Sequence, residues 1–251
     1  MLTRFLICTF LLLSLCSTAL AQSLDKAVFI TEHLPPYNYM EDKKIQGISV
    51  DVLRAALAAV DIQLDKTQLH IYPWARGYKT ALQTPNTCLF STARNDFREK
   101  SFKWAGPIAN ATFSFYTQNI NIKADSINDL KKYNITTARQ GIGHYTLQEN
   151  KFPEPRTDLS TKTSMMLDKL IRGRVDLVLE NKNVMRYTVK KEGMDWSKFI
   201  NVYTVNLGEI YFAFNKDTPD HVVQRLQKGI NIIKENGKLE SLVNKLHTRP
   251  E

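Results

Sequence analysis

Cysteine is nearly absent from this chain. Only three occur in 251 residues, and two of them, Cys8 and Cys16, fall inside an apolar leader. Cys88 is left alone, so no internal disulfide can form beyond the leader. It lies in Thr87-Cys88-Leu89-Phe90 and reads as a small buried strand residue, with no histidine partner that would make it a nucleophile. Histidine is scarce too. His33, His70, His144, His221 and His247 show no His-x-x-x-His pair or other ligand spacing, which argues against a metal, and no cofactor is expected. There is no phosphate-cradling glycine loop and no nucleophile elbow. Past the leader, no apolar run approaches the roughly 20 residues that span a bilayer. Low-complexity segments and strong internal repeats are missing as well. With 43% hydrophobic and 24% charged residues, intrinsic disorder, collagen and coiled coil are excluded as the main state.

What is present begins with that leader. Arg4 precedes an apolar run from Phe5 to Cys16, followed by Ser17-Thr18 and Ala19-Leu20-Ala21. This is the layout of a secretory signal over residues 1–22, cleaved after Ala21. The run is short for a membrane anchor, and Leu15 is too bulky for a lipoprotein site at Cys16. A periplasmic protein is expected. The formal net charge is +9, but the lysines are spread along the chain and export removes it from nucleic acid. A solvated basic surface is the reading, with attraction to anionic ligands.

The chain then alternates strands and helices. Ala27–Ile30 reads as a strand, and Ser49–Val60 as a helix with Val50, Leu53, Leu57 and Val60 on one face. Ile62–Ile71 is predicted as a strand, Ala75–Gln83 as a helix and Cys88–Ser91 as a strand. Phe113–Thr117 follows as an extended segment. A second series has a strand at Asn134–Ala138, helices at His144–Asn150 and Thr163–Ile171, and a strand at Val175–Leu179. The tail returns to the first pattern. An extended Glu209–Phe214 leads to a helix with Thr218 as its cap and Pro219 at its first position, ended by Asn236-Gly237, and one more helix follows. The order defines an α/β protein with two cores. Residues 23–113 and 210–251 are assigned to lobe 1, and 114–209 to lobe 2.

Four spaced motifs carry a further resemblance. They are Pro35-Pro36-Tyr37-Asn38-Tyr39 with Gly47-Ile48-Ser49-Val50-Asp51-Val52-Leu53, Arg94-Asn95-Asp96-Phe97-Arg98 with Phe102-Lys103-Trp104-Ala105-Gly106-Pro107, Gly173-Arg174-Val175-Asp176-Leu177-Val178, and Asn215-Lys216-Asp217-Thr218-Pro219. Over Ala27–His247 the chain resembles the bacterial periplasmic solute-binding proteins that serve polar amino acid transporters. The resemblance implies two α/β lobes of the type II periplasmic-binding fold. They are joined by two crossing hinge strands, with ligand held between them.

A zwitterion entering such a cleft loses its water and needs replacement partners. Arginine suits the carboxylate, a carboxylate suits the ammonium, and aromatics wall the remainder. The resemblance implies a carboxylate-binding arginine six residues before an aromatic, which selects Arg98 ahead of Trp104. The competing reading makes Arg98 a surface arginine paired with Glu99 or Asp96, and Arg94 is the alternative arginine. Tyr37 and Trp74 match pocket aromatics, and Ser91 and Thr92 match hydroxyl and N–H donors. Arg76 is an added charge. Gly141 and Gly143 stand in the loop where the family carries threonines. Asn181 stands where it carries the ammonium-binding aspartate. Strand alternation turns the adjacent Glu180 to the opposite face unless the strand has ended. The amine half of the site is therefore expected to be missing.

The expected function is capture of a small amino-acid-like or carboxylate ligand, as a monomer, for an ABC transporter permease or a sensor receptor. The alternative is a dehydratase on the same scaffold acting on a small cyclic carboxylic acid, with Glu180 as general acid. A cell-wall lytic enzyme on this scaffold would need an added catalytic domain, and none is expected.

Overall fold

The structure, a computed structural model, describes residues 23–248, and the side chains only as far as residue 245. The leader, with its cleavage site after Ala21, lies outside the described residues. The chain runs through β1 (Val28–Thr31), a small hairpin of β2 (Tyr39–Glu41) and β3 (Lys44–Gln46), α1 (Ile48–Ala58), β4 (Leu69–Ile71), α2 (Trp74–Gln83), β5 (Thr87–Arg94), the single turn α3 (Asp96–Glu99) and β6 (Phe102–Thr117). It continues with β7 (Ile135–Ala138), α4 (Ile142–Glu149), β8 (Thr157–Ser160), α5 (Thr163–Ile171), β9 (Leu177–Asn181), α6 (Lys182–Lys191), β10 (Ile200–Asn215), α7 (Asp220–Glu235) and α8 (Lys238–Thr248).

Among the described residues, eight strands join one sheet in the order β4-β1-β5-β10-β6-β9-β7-β8. β6 and β10, 16 residues each, run antiparallel through its middle. On one side of this pair β5, β1 and β4 run parallel to one another, and on the other side β9, β7 and β8 do the same. Parallel strands need both faces covered, and both are. Phe29, Phe90, Phe212 and Phe214 pack with α1 and α7 on one face, while Ile30, Leu89, Phe102 and Ala213 meet Ala81 of α2 on the other. The far side repeats the plan. Tyr116 and Val178 pack with α5 and α6, and Phe115, Leu177 and Leu179 pack with Leu147 of α4. Each half has its own core, and β6 and β10 belong to both. The result is the two-lobed α/β fold that the motifs imply.

Two local expectations fail. Ile62–Ile71 is not one strand. Asp65 and Gln68 form a capping box that winds Lys66–Gln68 into a 3-10 turn and leaves only Leu69–Ile71 to pair. Thr218 does not cap α7, because the helix starts at Asp220 with Pro219 before it. The Thr218 hydroxyl instead accepts from the Asn86 N–H at 3.1 Å.

One glycine fixes the loop that leads into the cleft. Gly47 has φ +124°, and a side chain there would run into the Tyr37 carbonyl. That carbonyl accepts from the Ser49 N–H at 2.9 Å, and the Pro36 carbonyl accepts from the Ile48 N–H at 3.1 Å. The first turn of α1 therefore clamps the Pro36-Tyr37 segment. Gly47→Ala should cost about 1–3 kcal/mol through backbone strain and overpacking, roughly 5 °C of Tm at this chain length. Gly237→Ala, at φ +74° with open space around it, should cost less. Thermal unfolding of both variants checks the order.

Candidate functional site

A cleft of about 790 Å³ opens between the two halves, within the usual range for small-ligand pockets. Arg98 forms part of its wall. It sits on α3, where the Asn95 side chain caps the turn by accepting from the Arg98 N–H at 3.1 Å. The side chain is 2% exposed. One guanidinium N–H donates to the Ala93 carbonyl at 3.2 Å, while Nε has no partner. The guanidinium lies 4.9 Å from the Trp74 ring centroid and 5.7 Å from that of Tyr78. Among the described residues no carboxylate is within ion-pair distance of it. The acid Glu99 is taken by Arg94 through two bonds of 2.8 and 2.7 Å. The surface arginine paired with Glu99 is thus Arg94, and the buried, unpaired one is Arg98. Burial lowers the Arg98 pKa, opposed by Tyr78, Tyr145 and Glu32.

Ser91 lines the cleft and Thr92 does not. The β5–β10 register skips between Tyr211, opposite Thr92, and Phe212, opposite Phe90. Ser91 is therefore the extra residue of a bulge, at φ +61°. Its hydroxyl donates to Asn38 Oδ1, and Asn38 Nδ2 donates to the Glu32 carbonyl at 2.6 Å. The bulge thereby ties the 32–38 loop to the sheet. Thr92 is buried with its hydroxyl on the Leu89 carbonyl. Arg76 is exposed and also outside the lining, with its guanidinium 4.1 Å from the centroid of the Tyr72 ring.

Tyr37, Trp74, Gly141, Gly143 and Asn181 all line the cleft. Gly141 and Gly143 bring the start of α4 close against β7, and a side chain at Gly143 would strike the Thr137 hydroxyl. Asn181 caps α6 by accepting from the Asn183 and Val184 N–H groups. It also accepts from the Tyr37 hydroxyl at 3.3 Å, and Asn183 Nδ2 donates to that hydroxyl at 2.9 Å. The two halves touch here. They touch again where Phe97 of α3 stacks on Tyr145 of α4 at 5.0 Å.

The expectation that the cleft lacks an acid is not met. Glu180 lines it, 4% exposed. β9 ends at Asn181, where α6 begins, so strict alternation no longer applies and both neighbours reach the cleft. Glu180 accepts from the Thr163 hydroxyl at 2.9 Å and from the Asn181 N–H at 2.7 Å. Glu32, from the turn after β1, lines the same space. Sequence reasoning passed over Glu32, though it stands three residues before Pro35-Pro36-Tyr37. Burial pushes both carboxyls up from 4.5 to about 7. At Glu32 the Glu180 carboxylate adds to this and Arg98 opposes it, while at Glu180 its two hydrogen bonds oppose it.

This architecture, two lobes around a cleft holding one buried unpaired arginine and two acids, is that of a solute-binding protein. The chain belongs to the bacterial extracellular solute-binding proteins, family 3, whose model matches residues 27–248. It is 25% identical over 215 residues to the probable amino-acid-binding protein YxeM of Bacillus subtilis (strain 168), covering 84% of this chain and 79% of that one. A histidine kinase sensor domain with similarity to periplasmic binding proteins superposes with a TM-score of 0.77 at 15% identity, over 88% of this chain and 96% of the other. The arginine-, lysine-, histidine-binding protein ArtJ from Geobacillus stearothermophilus does so at 0.73 and 19%, over 90% and 97%. At these identities the two structures establish the fold. Among the described residues no helix is long and apolar enough to cross a membrane.

The two raised carboxyls have a sign that can be measured. Each binds its proton more tightly folded, at about 7, than at the ordinary 4.5. Their stabilising contribution is complete below pH 4.5 and is lost as pH rises through 7. Tm of the ligand-free protein should fall between pH 5 and 8, and Glu32→Gln or Glu180→Gln should flatten that slope. Calorimetric scans across this window are the check.

Proposed function

We propose that this protein captures a small amino-acid-like solute in the cleft, with Arg98 taking the carboxylate and Glu180, aided by Glu32, taking the ammonium. The observation that carries the proposal is the buried Arg98 guanidinium, which has no acid partner and faces a cleft shared with two acids. A buried cation left unpaired is costly, and a ligand carboxylate removes that cost through charge-assisted hydrogen bonds. Tyr37, Trp74, Ser91, Gly141 and Gly143 shape the walls. Asn181 acts through its cap and its bond to Tyr37 rather than as the ammonium partner. YxeM, described as probably amino-acid-binding, supports this ligand class. Export by the leader, a periplasmic location, a monomeric state and delivery to a transporter or sensor complete the reading. The lobe boundaries are taken at 113/114 and 209/210.

Arg98→Ala should weaken amino acid binding by about 2–5 kcal/mol. Glu180→Gln should weaken it less for a deaminated analogue than for the amino acid. Titration calorimetry on both variants tests the two halves of the site separately, and binding by Arg98→Ala as tight as by the wild type overturns the assignment.

Closing of the lobes on ligand is part of the same proposal. Small-angle scattering should show a smaller radius of gyration at saturating ligand than without it. A profile that does not change speaks against hinge motion.

A further inference from the structure

Besides Arg98, three more cations line the cleft, and all three come from the far half. Arg139 follows β7, where its N–H donates to the Ser160 carbonyl at 2.9 Å. Lys162 is the residue before α5, and Lys191 is the last residue of α6. All three are exposed. None has a carboxylate within ion-pair distance among the described residues, whereas other cations in the same half do. Lys169 pairs with Asp158, and Arg172 with Asp168. His33 lines the same cleft, and its imidazole is held toward the neutral form by burial and then by Lys191 and Lys162.

The charges of the lining fall into two groups. The deep group is Arg98 with Glu32 and Glu180, and an amino acid head pairs with Arg98 and one acid and leaves the other acid over. The outer group is Arg139, Lys162 and Lys191 against the single acid Glu192. Once the head is bound, the outer group keeps a positive excess. A cleft with low-dielectric walls concentrates that field on whatever occupies it. The volume of about 790 Å³ leaves room beyond the head.

We infer that Arg139, Lys162 and Lys191 form a second subsite, for an anionic group at the far end of the ligand. The cleft then prefers acidic amino acids or their derivatives to neutral and basic ones. This rests on the proposed placement of the amino acid head at Arg98. A distal carboxylate completes the charge pairing of the cleft, whereas a distal ammonium adds to its excess. No single one of these exposed contacts is strong, so the preference is shared among three cations and weakens with salt.

Titration calorimetry of the mature chain with L-glutamate, L-glutamine and L-lysine, at low and at 300 mM salt, tests this. Glutamate should bind at least about tenfold tighter than glutamine at low salt, with lysine weakest, and salt should narrow the gap. In Lys162→Gln/Lys191→Gln the glutamate-to-glutamine ratio should fall toward one, and in Lys162→Glu/Lys191→Glu it should invert. Glutamine or lysine binding as tightly as glutamate, with Arg98→Ala still weakening binding, overturns the subsite and spares the head-group reading. If no amino acid binds, or if Arg98→Ala binds as well as the wild type, the head-group reading fails and the subsite with it.

Discussion

Every strand of the main sheet is placed, directly or through a neighbour, by the antiparallel pairing of β6 with β10. β5 adds to β10 on one side and β9 to β6 on the other, and the parallel strands follow outward. Two long strands thus belong to two cores at once. The space between those cores becomes the cleft because the strand ends that face it are not continued into sheet. β5 turns into α3 through Asn95, and β9 turns into α6 through Asn181. Both caps are asparagines, and each delivers a charged residue to the cleft, Arg98 in the first case and Glu180 in the second.

The cleft is electrostatically unsatisfied without ligand. Arg98 is buried with a free Nε, and burial pushes the two cleft carboxyls, Glu32 and Glu180, up to about 7. Burying charge without partners opposes folding, so stability is given up at the position where the proposed ligand would supply the missing partners. The surrounding structure is built to tolerate this. Trp74 and Tyr78 supply ring faces to the guanidinium. The Ser91 bulge, Asn38 and the clamped Tyr37 loop hold the neighbouring wall of the same half by hydrogen bonds that do not involve Arg98.

Much of this was legible in the sequence, for identifiable reasons. The β-α-β order follows from apolar periodicity that both cores then use. Arg98 was reachable because one turn of helix and a following strand hold its spacing from Trp104. Glu180 was misjudged because alternation holds only inside a strand, and Glu180 is the last residue before the cap that ends one. Glu32 had no periodic signal at all, since it lies in a turn. Thr92 was assigned with Ser91 because a bulge, which separates their directions, is not encoded by residue type. Arg76, two residues after Trp74, points to the other face of α2 and stacks on Tyr72 instead of entering the cleft.

The β6–β10 ladder is not uniform. Its register shifts between Asn201 and Tyr203, between Asn206 and Glu209, and between Ile210 and Phe212. In the second gap Gly208 takes φ +89°, with the Arg94 carbonyl where a side chain would stand. In mechanical terms the spine is a notched beam, and the notch at Asn206–Glu209 is the one that falls between the two cores. Bending at a place that already lacks rungs stores little elastic energy, so in the proposed closure the work would fall on the contacts made with the solute.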